Sequence, residues 1–207
     1  MEESTLKEKV LKKYNQWKSE VEHLKVQLQL GATEAKSEFE KQKKSLDEWI
    51  ITTKEQLSKL KNISKEKSTE LRTKLEKLRA LTTLGKAETE DALKEQYHKI
   101  HEGIHNIKES ISKTSEDTRE DIKEFAETLE EKLDNYHTRF DLLRLQLYLG
   151  KKEGKEQCEN KKKELATKLH NFNTKLEAVK EVSAEKWTNF SSEMKEMWTH
   201  LKMSVKR

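Results

Sequence analysis

Apolar side chains recur along this chain at alternating intervals of three and four residues, the spacing that keeps one face of an α-helix apolar. The first such stretch reads Trp17, Val21, Leu24, Leu28, Gly31, Ala35, Phe39, Gln42, Leu46. The second reads Leu71, Leu75, Leu78, Thr82, Gly85, Thr89, Leu93, Gln96, Ile100. The third reads Tyr136, Phe140, Leu143, Leu147, Gly150, Gly154, Cys158, Lys161, Leu165. Nothing predicts a strand. The pattern predicts an all-α fold of long antiparallel helices in an elongated, coiled-coil-like bundle of three or four helices.

The three stretches align on Leu30-Gly31, Leu84-Gly85 and Leu149-Gly150, each followed three residues after the glycine by a glutamate: Glu34, Glu88 and Glu153. This is a three-fold internal repeat. The interval from Gly85 to Gly150 exceeds that from Gly31 to Gly85 by eleven residues, one hendecad, which a helix inserts with little change of face. The apolar pattern passes each glycine without changing phase. That predicts Gly31, Gly85 and Gly150 as mid-helix residues on the packed face, where a neighbouring helix approaches closely. The plainer alternative is a weak point or bend, since glycine costs about 1 kcal/mol in a helix interior.

No proline interrupts the chain, so turns must be read from polar clusters and caps. Ser64, Ser115 and Ser183 each stand where an N-cap would open the next helix. The predicted helices are 4–61, 65–113, 116–181 and 184–206, in a single elongated domain spanning 1–207. Short connections make successive helices antiparallel.

Composition sharpens this picture. Charged residues make up 40% and hydrophobic ones 32%, too few for a thick spherical core but enough for a stripe along helices. The formal net charge is only +4, with both signs interspersed. Nucleic acid is not expected as a partner, because phosphate binding wants a clustered basic patch. The nearest one, Lys151 to Lys163, is diluted by Glu153, Glu156 and Glu159. One cysteine, Cys158, excludes an internal disulfide and reads as a buried small hydrophobe in the stripe. The N-terminal residues Met1 to Lys9 lack the apolar core of a signal peptide, and no apolar run is long enough to cross a bilayer. The expected location is cytoplasmic.

Two segments carry a family resemblance: Ala32-Thr33-Glu34-Ala35-Lys36-Ser37-Glu38-Phe39-Glu40-Lys41-Gln42, continuing to Leu46, and Ser183-Ala184-Glu185-Lys186-Trp187, continuing through Phe190, Met194 and Trp198. Together they resemble a loosely defined set of uncharacterised bacterial coiled-coil proteins. The resemblance implies long antiparallel helices and carries over no functional residue.

One motif resembles catalytic chemistry. His101-Glu102-Gly103-Ile104-His105 matches the zinc-protease helix H-E-x-x-H, in which two histidines one turn apart bind zinc and the glutamate activates water. His98 adds a third histidine on that face. A protease also needs a cleft, and the third ligand of the longer motif is absent, with Lys108 and Ile111 at its positions. The stripe Tyr97, Ile100, Ile104, Ile107, Ile111 is the packed face, and His98, His101 and His105 each lie one residue beyond it. They read as boundary histidines. No catalytic residue, cofactor or enzyme activity is expected, and these three remain the candidate metal ligands.

The function expected is therefore a non-catalytic scaffold or protein-interaction role, with protein partners that include a second copy of the chain. The alternative is a peripheral membrane role through amphipathic helices, above all 184–206, whose Trp187, Phe190, Met194, Met197, Trp198, Leu201 and Val205 follow helical spacing.

Overall fold

The structure, a computed structural model, describes residues 2–61, 63–114, 119–149, 155–177 and 184–206. Among them every regular element is helical, and no strand occurs. Seven helices follow in order: α1 (Glu2–Gln29), α2 (Ala32–Lys59), α3 (Lys65–Thr82), α4 (Glu90–Thr114), α5 (Glu120–Leu149), α6 (Lys155–Glu177) and α7 (Ala184–Lys206). Among the described residues no helix is long and apolar enough to cross a membrane.

The sequence predicts four helices, and among the described residues two of those are divided. Span 4–61 becomes α1 and α2, and 65–113 becomes α3 and α4; within 116–181 the described residues form α5 and α6. Two of the glycines expected in mid-helix, Gly31 and Gly85, stand at these divisions. Leu30 N–H bonds the carbonyl of Gln27 at 3.2 Å, tightening the last turn of α1, and the Gly31 carbonyl accepts the first bond of α2 from Ala35 N–H at 2.9 Å. Gly31 is thus an N-cap, a position glycine tolerates well. Gly85 lies in the loop between α3 and α4, and Thr89, expected to pack beside it, is exposed and caps α4 by accepting from Ala92 N–H at 3.1 Å. Gly150 and Gly154 lie outside the described residues, as do Ser115, Ser183 and the side chain of Cys158. Ser64 caps α3 as expected, its hydroxyl accepting from Lys67 N–H.

The chain gathers into two compact units: residues 36–140, and residues 1–35 with 141–207. In the first unit, numbers rise on one helix as they fall on its neighbour, so adjacent helices are antiparallel. Arg79 Nε on α3 donates to Asp47 Oδ1 on α2 at 3.0 Å, and Lys54 pairs with Glu76. Lys74 Nζ on α3 donates to the Asn106 carbonyl on α4 at 3.0 Å. Lys108 on α4 donates to Asp134 on α5 at 2.6 Å. The circuit closes where Tyr136 on α5 donates to the Ser45 carbonyl on α2 at 3.0 Å. This is an up-down-up-down bundle. Its core holds Leu46, Ile50, Leu75, Leu78, Ile100, Ile104 and Leu133.

In the second unit α1 and α6 run antiparallel, as do α6 and α7. Trp17 meets Phe172 edge-on at 6.0 Å between ring centres, and Phe172 meets Trp198 at 5.1 Å. Val21, Leu24, Leu169, Leu176, Met194 and Leu201 complete this core. At the end of α1, where carbonyls lose their helical partners, Gln146 Nε2 donates to the Leu28 carbonyl at 3.1 Å.

Candidate metal centre

Helix α4 buries Tyr97, Ile100, Ile104, Ile107 and Ile111, the five positions its spacing selects. Residues one step beyond that stripe sit at the boundary with solvent, and the three histidines of α4 share this fate unequally. His98 and His105 are exposed, and His101 is half-buried. The His105 Nε2 lies 3.3 Å from Glu109 Oε1 on the same helix. Glu102 is exposed. The histidine pair of the H-E-x-x-H motif therefore does not converge on one buried point.

His101 turns instead toward α5. Its ring meets that of His137 at 4.0 Å between centres and 88° between planes, and the Tyr97 ring lies 5.8 Å from it. His137 is 7% exposed. The local spacing along α4 does not signal this pair, because the partner histidine comes from another helix and only folding joins them.

A second feature is equally absent from the sequence reading. Lys43, within the charged run Lys41 to Lys44, is 2% exposed. Its ammonium donates to Gln96 Oε1 at 2.7 Å, the Leu84 carbonyl at 2.9 Å, Glu40 Oε2 at 3.0 Å and the Gly85 carbonyl at 3.4 Å. Glu40 Oε1 in turn accepts from Ala87 N–H at 3.2 Å, and Gln96 Nε2 donates to the Gly85 carbonyl at 2.8 Å. A buried charge is tolerated only when paired and hydrogen-bonded, and here the acceptors come from α2, α4 and the α3–α4 loop. The arrangement is a tie that holds the loop to two helices.

The polar seam position predicted from Gln42, Gln96 and Lys161 is not uniform. Gln42 is buried, and its Oε1 accepts from Arg139 at 3.3 Å, whereas Gln96 and Lys161 are half-buried.

No protein-family model, curated protein or solved structure matches the chain.

Proposed function

We propose that this protein is a non-catalytic helical scaffold that presents charged helix faces to protein partners, a second copy of itself included. The observation that carries the reading is how its charge is used. Charged residues form 40% of the chain, and many stand in exposed pairs along single helices, such as Glu90–Lys94, Glu95–Lys99 and Glu164–Lys168. Pairs of this kind contribute only about 0.3–0.5 kcal/mol each to a fold. Stability therefore accounts for little of the charge, and recognition by complementary charged surfaces accounts for more. Buried polar ties such as Lys43 support the same reading, because polar groups in a helical seam fix register. A scaffold depends on a single register to present its faces. The coiled-coil resemblance and the three Leu-Gly repeats point the same way.

The membrane-surface alternative asks α7 to expose its apolar face. Met194, Trp198 and Leu201 are all buried in their own unit, so lipid binding would cost that core.

Sedimentation velocity over a wide concentration range, at low and high salt, tests the proposal. A dimer or larger species that weakens with salt is the expected result. A monomer under every condition would remove self-assembly from the reading. Binding to anionic vesicles that disappears with residues 183–207 would replace the scaffold by the membrane role.

A further inference from the structure

We propose that the α3–α4 loop is a hinge, and that its opening lets two copies of the chain exchange these helices in a domain-swapped dimer. The proposal rests on the self-association in the scaffold reading and gives it a mechanism. In the closed form α3 and α4 pair antiparallel. Ser110 Oγ donates to Glu70 Oε1 at 2.7 Å, Lys74 Nζ donates to the Asn106 carbonyl at 3.0 Å, and a Cβ at Gly103 would lie 3.7 Å from Leu78 Cβ. Each turn up α3 thus meets a turn down α4. Continued past Thr82, where α3 ends, this register sets positions 83–89 opposite about 92–98 of α4. The loop lies over that stretch instead, and Gln96 Nε2 donates to the Gly85 carbonyl at 2.8 Å. A single chain cannot complete the helical pairing, because 83–89 must turn back into α4. A second copy can.

Two further observations point the same way. The apolar period runs through the loop in phase, from Leu78 and Thr82 through Gly85 and Thr89 to Leu93. A loop needs no such phase, whereas one helix from Lys65 to Thr114 does. The loop backbone is also held by side chains where a helix would hold it by backbone. Lys43 Nζ donates to the Leu84 carbonyl, which a helix would give to Glu88 N–H, and Ala87 N–H donates to Glu40 Oε1 in place of the Thr83 carbonyl. Opening trades these bonds for helical ones and keeps those backbone groups paired. In the swapped dimer α3 of each copy lies against α4 of the other, so the contacts that close the monomer are remade between chains, a low-cost route to a dimer. The stripe at the hinge, Thr82, Gly85 and Thr89, is only weakly apolar, which favours the closed form in dilute solution.

The full-length chain carrying Leu78→Cys and Gly103→Cys, with Cys158→Ser to remove the native thiol, tests the exchange. The Cβ separation of 3.7 Å suits a disulfide. The protein is refolded from urea over a range of concentrations and oxidised, and monomer and dimer are separated by gel filtration. The expected dimer grows with concentration and stays covalently joined on a denaturing, non-reducing gel, while the monomer closes its disulfide internally. A dimer whose chains part on that gel overturns the exchange and leaves the scaffold reading standing. A monomer at every concentration overturns the exchange and also removes self-assembly from that reading. Circular dichroism checks that the variant folds. If it does not, Gly85→Ala in the otherwise native chain decides, since nothing lies within 4 Å of a Cβ there in the closed form. Alanine favours a helical hinge about fivefold over glycine and a dimer has two hinges, so the dimer association constant from sedimentation should rise about twentyfold. An unchanged constant overturns the hinge.

Discussion

Residues 1–35 with 141–207 and residues 36–140 are both built from helices with narrow apolar stripes, yet they are held differently. The unit of 1–35 with 141–207 is centred on large rings, with Trp17, Phe172 and Trp198 in contact. The unit of 36–140 is mostly aliphatic and crossed by directed polar bonds: Lys43 to the α3–α4 loop, Arg79 to Asp47, Tyr136 to Ser45. Apolar burial is strong and non-directional. Hydrogen bonds contribute less net free energy but select one alignment. The ring-centred unit should therefore be sensitive to lost volume, and the tied unit to lost partners.

The largest test of that contrast is Phe172→Ala, which empties the middle of the three-ring stack. A cost of about 3–5 kcal/mol is expected from such truncations, measured by urea denaturation. Lys43→Met keeps the buried stem and removes the ammonium. The Leu84 carbonyl then loses its donor, and about 2–3 kcal/mol is expected for a hydrogen bond to a charged group. Amide exchange should speed in the 83–89 loop while α1 and α6 stay protected. Faster exchange spread evenly through the chain would mean that Lys43 only fills space.

Gln27 sharpens the comparison from the other side. It is buried on α1 at 1% exposure, and among the described residues its side-chain amide has no hydrogen-bond partner. Gln27→Met removes that desolvated amide at nearly constant shape. A gain of about 1 kcal/mol is expected, seen as a higher thermal midpoint; a loss would show that the amide is satisfied in solution.

Gly103 and Gly85 give a smaller, paired test. A Cβ at Gly103 would fall 2.9 Å from Leu78 Cδ1 and 3.4 Å from Leu81 Cδ1, whereas at Gly85 nothing lies within 4 Å. Crowding typically costs 1–3 kcal/mol and the helix gain over glycine is about 1 kcal/mol. Gly103→Ala should therefore lose roughly 1 kcal/mol, and Gly85→Ala should change little. Equal effects would deny the close approach of α3 and α4.

The smallest effect distinguishes neither unit. Hydrogen bonding and then charge from Lys99 lower the Glu95 pKa, and Lys168 does the same for Glu164. A lowered folded value contributes stability that is present above the ordinary carboxylate range and lost as pH falls through the folded midpoint. Both groups are fully exposed, so the contribution is slight and screened by salt. NMR titration should place both midpoints below the usual value of 4.5, and added salt should raise them. Midpoints indifferent to salt would contradict this cause.

The His101–His137 contact shows where reading a sequence stops. His101 was singled out for its neighbours four residues away on one helix, but its close partner is His137, thirty-six positions on. Periodicity reports which side chains share a face. It does not report which other face will lie opposite. The same limit applies to Lys43: in sequence it belongs to a run of charge that reads as solvated, and its acceptors come from a loop and a helix some forty to fifty residues away.

The sequence by itself determined the helical class and the inward positions. Trp17, Val21, Leu24, Leu28, Ala35, Phe39 and Leu46 are all buried as their spacing requires. Burial follows local period, and that period survives a break when the chain re-enters a helix in phase, as it does at Gly31. For that reason the pattern disclosed the buried face and concealed the break. Only the tertiary structure decided that Gly85 reverses the chain between α3 and α4, that Gly103 is the glycine of close approach, and that Lys43 is interior. Each of these depends on atoms brought together from distant parts of the chain, and a one-dimensional period carries no term for them.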